Sequence, residues 1–289
     1  MILTFTNCKR NNQLYIDTAY PNSTPKLFAD SIFSKHGFVR CLFVSSDKKE
    51  YYFQSSYEKQ WPSRYIKRLS ISNNSDGFII DTILDVKNEI QINRCTEPWL
   101  TQDNNELYFM ANNDIWKMVR ENNKWGKPVK LDSAINSSWI EGRPSLSKNK
   151  TLYFHSFSKN VYENNIYYSK FFAGKFAKRI KIDKLGEDGD AGDPAIAPDE
   201  SFIVFVSSRE TGFGESDLYI SYNKKGEWTT PQNLGSEINT PEIEMGPTIS
   251  PDGRFLFFYR LDKWKNAKYS KVYWVDIQKV IKKNKNHIL

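Results

Sequence analysis

The sequence predicts an all-β fold: a β-propeller of five four-stranded blades, with strands from both termini closing the last one. Three observations carry this expectation. A unit with four strand-like runs recurs at nearly fixed internal distances, an apolar anchor near the start has no strands before it, and the final copy lacks its outer strand. A period of roughly 50 residues marks a repeat whose units cannot bury their faces alone.

The clearest copy runs from Gly192 to Leu234. Asp193-Pro194-Ala195-Ile196 opens it, Pro198-Asp199 turns the chain, and Phe202 to Val206 forms a second β-rich run. After a polar loop with Gly212 and Gly214 come Asp217 to Ile220, a turn at Lys224-Lys225-Gly226, and a fourth run from Trp228 to Leu234. Short β-rich runs separated by turn residues describe an antiparallel sheet.

The other copies align by their anchors. Openings at Leu42, Pro98, Pro144, Pro194 and Pro247 are followed ten or eleven residues later by Phe53, Phe109, Phe154, Phe205 and Phe258. Five residues after each opening stands Asp47, Asp103, Asn149, Asp199 or Asp252. Such side chains bond the backbone two residues on, so these are read as structural turns, with Gly253 adding conformational freedom in the last copy. The third run is marked by Trp116, Tyr167, Tyr219 and Tyr273, with Tyr65 in the first copy. Trp125, Phe176, Trp228 and Phe78 begin the fourth run, and Leu131, Ile182, Leu234 and Leu84 follow six residues later. Aromatics that recur in this way are blade-to-blade packing. A sugar-stacking platform would instead use rings that break the repeat, such as Trp61, Trp139 and Trp264.

Closure follows from the ends. The anchors Phe28, Leu84, Leu131, Ile182 and Leu234 precede the next opening by 14, 14, 13, 12 and 13 residues, so Phe28 behaves as the end of a fourth strand. Residues near 22 to 28 are expected to pair with Lys271 to Asp276, leaving no open edge in the last blade. A sixth, degenerate blade is the alternative. The organisation expected is a flexible segment over 1–21, one propeller domain over 22–278 and a basic tail over 279–289.

Composition limits the function classes. With 39% hydrophobic and 26% charged residues the chain is globular, and its net charge of +7 is dispersed. Cys8, Cys41 and Cys95 have no metal-ligand spacing and imply no disulfide framework. No apolar run is long enough for a membrane span. As written, the start reads as cytoplasmic. An upstream export signal would make Cys8 a lipid-bearing residue and place the protein in the cell envelope.

Chemistry is sparse. His36, His155 and His287 form no metal pair, and neither a nucleophile elbow nor a phosphate-cradling loop occurs. No cofactor is expected; Asp188 and Asp190 around Gly189 give only a weak calcium pattern, lacking the twelve-residue loop and its final glutamate. Nucleic acid is not an expected partner, because the aromatics beside lysines occupy repeat positions. Arg40, Glu97, Glu141, Arg143, Asp193 and Glu244 precede the openings, where first strands converge on the axis, and are expected to ring one mouth of the channel.

Pro247-Thr248-Ile249-Ser250-Pro251-Asp252-Gly253, the related Pro194 to Asp199, and Asp217-Leu218-Tyr219 followed by Trp228-x-x-Pro231-x-x-Leu234 resemble the WD40-like Pro-Asp propeller repeat of the bacterial Tol-system (TolB-like) group. The resemblance covers about residues 24 to 276. It implies a propeller whose axial mouth binds a protein, peptide or carbohydrate, with catalysis only where dedicated residues are added. The chain is read as a noncatalytic binding or scaffold propeller recognising a protein or cell-envelope glycan at an axial face, more a binding module than an enzyme. The first copy departs from it, with Cys41-Leu42 and Ser46-Asp47 in place of proline and Pro-Asp. The alternative reading is a glycan hydrolase or lyase using Glu97, Glu141 and Asp193 as acid and base.

Overall fold

The computed structural model of the chain describes residues 15–56, 65–71, 78–85, 92, 94–158, 160–264, 267 and 269–286. Five antiparallel sheets are arranged as the blades of a propeller. Their innermost strands are Phe38–Val44, Cys95–Leu100, Ile140–Leu146, Gly192–Ile196 and Ile243–Ile249. In the first four blades the chain steps outward strand by strand, ending at Phe78–Asp85, Val129–Lys130, Ile180–Lys181 and Gln232–Asn233.

The fifth blade closes as the spacing predicts. Its three C-terminal strands end at Ser270–Asp276, and Lys26–Leu27 supplies the fourth, with Lys26 opposite Trp274 and Leu27 opposite Tyr273. The Phe28 N–H donates to Val272 O at 2.9 Å, and the Asp276 N–H to Asn22 O at 3.0 Å. Phe28 is fully buried among Phe33, Tyr51, Phe257 and Trp274. This aromatic cluster seals the first blade to the last, and burying such rings is the main stabilising term for an element of two paired residues.

The turns between first and second strands also match. Asp47, Asp103, Asp199 and Asp252 each accept the N–H two residues on, at 3.1–3.2 Å. Around Asn149 the turn is closed by Lys150 N–H on Ser147 O. The residue after the Asp or Asn has a left-handed backbone in every copy: Lys48, Asn104, Lys150, Glu200 and Gly253. Glycine is thus present only once at a place where the turn forces positive φ five times.

Three local expectations are revised. Phe53 faces Lys67 across the first blade, whereas Phe109, Phe154, Phe205 and Phe258 face Trp116, Tyr167, Tyr219 and Tyr273. Lys67, not Tyr65, therefore occupies the repeat position. Residues 277–286, mostly assigned to a basic tail, form the helix Ile277–Asn286. Ile277, Val280 and Ile281 share its buried face and pack with Leu234, Ile238 and Leu256. Within the segment expected to be flexible, Tyr15 is buried and Tyr20 stacks on Phe255 at 5.8 Å. Cys8, Trp61 and His287 lie outside the described residues. Among the described residues no helix is long and apolar enough to cross a membrane.

Candidate functional site

All five inner strands bulge at one equivalent place, just before the opening position. Their pairing shifts register between Arg40 and Phe43, Thr96 and Trp99, Gly142 and Ser145, Gly192 and Ala195, and Met245 and Thr248. Within each bulge one residue takes a left-handed backbone: Cys41, Glu97, Arg143, Asp193 and Gly246. A bulge re-aims its side chain, and positive φ outside glycine is strained, so the four non-glycine residues among these five mark a constrained centre.

Arg143 organises that centre. Its Nε lies 3.2 Å from Glu97 Oε1 and 3.0 Å from Asp193 Oδ1, and all three residues are buried. One guanidinium nitrogen donates to the Cys41 thiol and another to Tyr259 Oη at 3.3 Å. Gly246 makes the room: a Cβ there would stand 2.5 Å from the Tyr259 ring and 3.0 Å from Arg143. The Arg143 N–H donates to Glu97 Oε2 at 2.6 Å, tying the carboxylate to backbone as well.

The charges respond to this packing. Burial pushes the Asp193 carboxyl up, but Arg143, His155 and the Gly246 N–H outweigh it and hold the group below the usual carboxylate range. Burial also opposes the charge on Arg143, yet Asp193, Cys41 and Glu97 keep it firmly protonated. Burial pushes the Cys41 thiol up to about 12 despite Arg143 beside it.

Above this cluster opens a cavity of about 650 Å³, with Glu97, Met110, His155, Phe157, Asn164 and Trp264 among its walls. His155 turns Nδ1 toward Asp193, 3.4 Å from Oδ1 and 3.4 Å from the backbone N. The other ring nitrogen approaches Gly142. A Cβ on Gly142 would lie 2.9 Å from His155 Nε2 and 2.9 Å from Glu97 Oε2, so the missing side chain leaves room that both groups border. A larger hollow of about 860 Å³ on the opposite rim is lined by Asp199, Tyr222, Asp252 and Gln278. Its two carboxylates already cap turns, whereas the smaller cavity borders the buried axial cluster through Glu97 and His155.

The six residues expected around the mouth separate into three sets. Glu97, Arg143 and Asp193 meet. Arg40 is buried with its guanidinium 6.0 Å from the Tyr259 ring centre. Glu141 and Glu244 lie two residues before the bulge and are enclosed in matching posts. Glu141 accepts from Ser137 N and Oγ, Ser156 Oγ and Arg179; Glu244 accepts from Thr240 N and Oγ1 and Arg260. Glu141 is fully buried with both oxygens engaged and is not among the residues that line the cavity. Asp190, the residue of the weak calcium pattern, receives the Ser208 N–H at 2.7 Å, and among the described residues no group of three or more potential ligands could hold a metal. His155 was visible in the sequence only as a strand histidine after Phe154; its partners come from neighbouring blades, with no local motif to announce them.

No protein-family model matches the chain, and no curated protein matches it by sequence. Solved structures do match by shape. An α-L-arabinofuranosidase from Lactobacillus brevis aligns with a TM-score of 0.54 at 12% identity, over 81% of this chain and 90% of its own. An α-L-arabinofuranosidase from Podospora anserina, in complex with cellotriose, aligns at 0.52 and 9%, over 88% and 93%. A xylan β-1,4-xylosidase from Bacillus halodurans aligns at 0.51 and 12%, over 82% of this chain and 52% of its own. At these identities the structural alignments show a shared fold and nothing finer.

Two expectations fall with these findings. The Pro-Asp motifs do not place the chain in the WD40-like, TolB-like repeat group, since no family model supports it and the propellers it resembles are glycosidases. The motifs reflect the turn physics that any blade with this hairpin requires. Nor does the fold favour a noncatalytic module, because these propellers are enzymes.

Proposed function

We propose that the protein is a glycan-cleaving enzyme, a hydrolase or lyase, whose reaction takes place in the axial cavity between His155 and Glu97. The observation that carries the reading is the open space at Gly142: His155 Nε2 and Glu97 Oε2 each lie 2.9 Å from the place a side chain would take there, and both residues line the cavity. The fold shared with arabinofuranosidases and a xylosidase supports a carbohydrate as the substrate class.

The division of labour follows from the contacts. Glu97 and Asp193 cannot serve as the two carboxylates of an inverting pair. Both touch the same Arg143 nitrogen, at 3.2 and 3.0 Å, closer together than the roughly 6.5–9.5 Å that admits a water, and the guanidinium fills the space. Asp193 is therefore a positioning residue, orienting His155 through Nδ1. His155 Nε2 is the group that donates or removes a proton at the scissile linkage, and Glu97 is its partner. Arg143 holds both carboxylates in register.

Turnover of aryl arabinofuranosides, aryl xylosides and their polysaccharides by the purified chain tests this. Glu97→Gln and His155→Gln should each lower kcat per folded molecule by about 10²–10⁴-fold, the usual contribution of a positioned acid or base. Full activity in both variants, or no turnover of any glycan by the native chain, would refute the assignment.

A further inference from the structure

The connections between second and third strands open on the same side of the ring as the axial cavity. Phe157 ends the second strand of the third blade and Asn164 lies on its third, while Trp264 sits in the corresponding connection of the fifth blade; all three line the cavity. Three adjacent blades expose large apolar side chains in these connections. Tyr162 in the third blade is 84% exposed, Phe213 in the fourth 48%, and Trp264 in the fifth 42%. By contrast, the turns between first and second strands on the other side, such as Ser45 to Lys49 and Thr101 to Asn105, carry no ring at all. Phe172 is the exposed ring of an outer hairpin and stands apart from this series.

Phe213 is not exposed through looseness. Its N–H donates to Asp217 Oδ2 at 2.6 Å and the Gly214 N–H to Asp217 Oδ1 at 3.1 Å. Gly214 comes so close to the fifth blade that a Cβ would stand 2.2 Å from Glu242 O and 2.5 Å from Thr240 O. The loop is thus pinned from two directions while its ring stays in water. Keeping an apolar ring exposed on a fixed backbone forgoes burial energy, which a ligand recovers.

We infer that Trp264, Phe213 and Tyr162 are stacking subsites for the sugar rings of a glycan chain that extends from the cavity across the fifth, fourth and third blades. The three loops that carry the rings also carry polar residues, Asn160, Glu210, Glu215 and Lys263 among them. That mixture suits a sugar ring, which offers an apolar C–H face and a rim of hydroxyls, and it suits a protein interface core poorly. Trp264, shared between cavity and rim, joins the subsites to the reaction centre. The substrate is accordingly a chain of several units. This inference rests on the glycan-cleaving reading and specifies its substrate.

Calorimetric titration of the Glu97→Gln protein with arabino- and xylo-oligosaccharides, from the monosaccharide upward, tests it. Affinity should rise with chain length, and Phe213→Ala and Tyr162→Ala should each weaken binding of the longest oligomer about tenfold, as truncating an aromatic anchor does, while leaving the monosaccharide unaffected. Both rings are exposed, so thermal melting should not move. Affinity independent of length, equal loss for short and long ligands, or binding to none of the probes would overturn the subsites. Length-dependent binding in a native chain without turnover would retain the subsites and refute the catalytic reading alone.

Discussion

Two kinds of buried arginine–carboxylate cluster occupy the inner end of this propeller, and they differ in an instructive way. The Glu141–Arg179 and Glu244–Arg260 posts are near copies, each tied by a Ser or Thr four residues before the glutamate, and each arginine also donates to a backbone carbonyl, of Ile135 or Ile238. The Glu97–Arg143–Asp193 cluster occurs once, draws its members from three blades, and borders a cavity. What repeats with the blades is architecture. What breaks the repeat beside a cavity is where function is to be sought.

Removing the central cation is the strongest way to break this contrast. Arg143→Leu leaves Glu97 and Asp193 buried without their shared partner, and breaking a buried pair in this way typically costs about 3–5 kcal/mol. Chemical denaturation should show a loss of that size, together with loss of turnover. A near-native midpoint would mean that the two carboxylates are stabilised chiefly by backbone. A smaller effect separates posts from site: Glu141→Gln and Glu244→Gln keep the shape but weaken charge-assisted bonds, at about 1–3 kcal/mol each. Activity per folded molecule should remain, whereas Glu97→Gln, at a similar cost in stability, should lose activity in the molecules that stay folded. If Glu141→Gln abolished turnover in folded protein, the division drawn above would fail.

Much of the architecture was legible because it rests on local rules repeated five times. The turn at Asp252, the anchor at Phe258 and the outer strand before Phe28 each follow from spacing and alternation. The site was legible only in part. Counting by twos along the inner strand puts Glu141 and Arg143, or Glu244 and Gly246, on one face, and so groups them around the mouth. The bulge cancels that arithmetic: the residue at positive φ swings away from the face of the residue two before it. Non-glycine residues such as Arg143 and Asp193 carry no sequence mark of a left-handed backbone. The contact of His155 with Asp193 joins two blades, beyond the reach of any local pattern. The C-terminal helix was missed because its buried face is only Ile277, Val280 and Ile281 among lysines.

The smallest effect lies in the pH dependence of stability, where the two clusters should differ in sign. Asp193 is held below its ordinary value of 3.8, burial being outweighed by Arg143 and His155. Its contribution is present above 3.8 and is lost as pH falls below that value toward the folded one, where the native carboxylate is finally protonated. Glu244 moves the other way: burial raises it above 4.5 in spite of Thr240 and Arg260. Its contribution is present below 4.5 and is lost as pH rises through the raised folded value. A tenfold difference in proton affinity between folded and unfolded chain is worth about 1.4 kcal/mol, so slopes rather than absolute stabilities are the measurement. Asp193→Asn should flatten the decline on the acid side below 3.8, and Glu244→Gln should remove a decline that sets in above 4.5. Both variants also lower stability at every pH by weakening an arginine's partner, which offsets the curves without altering their slopes. Denaturation midpoints of the two variants and the parent, followed from about pH 3 to 7, bracket both ordinary carboxylate values. Parallel curves for all three proteins would show that neither carboxylate titrates with folding, and the electrostatic distinction between the posts and the axial cluster would then be lost.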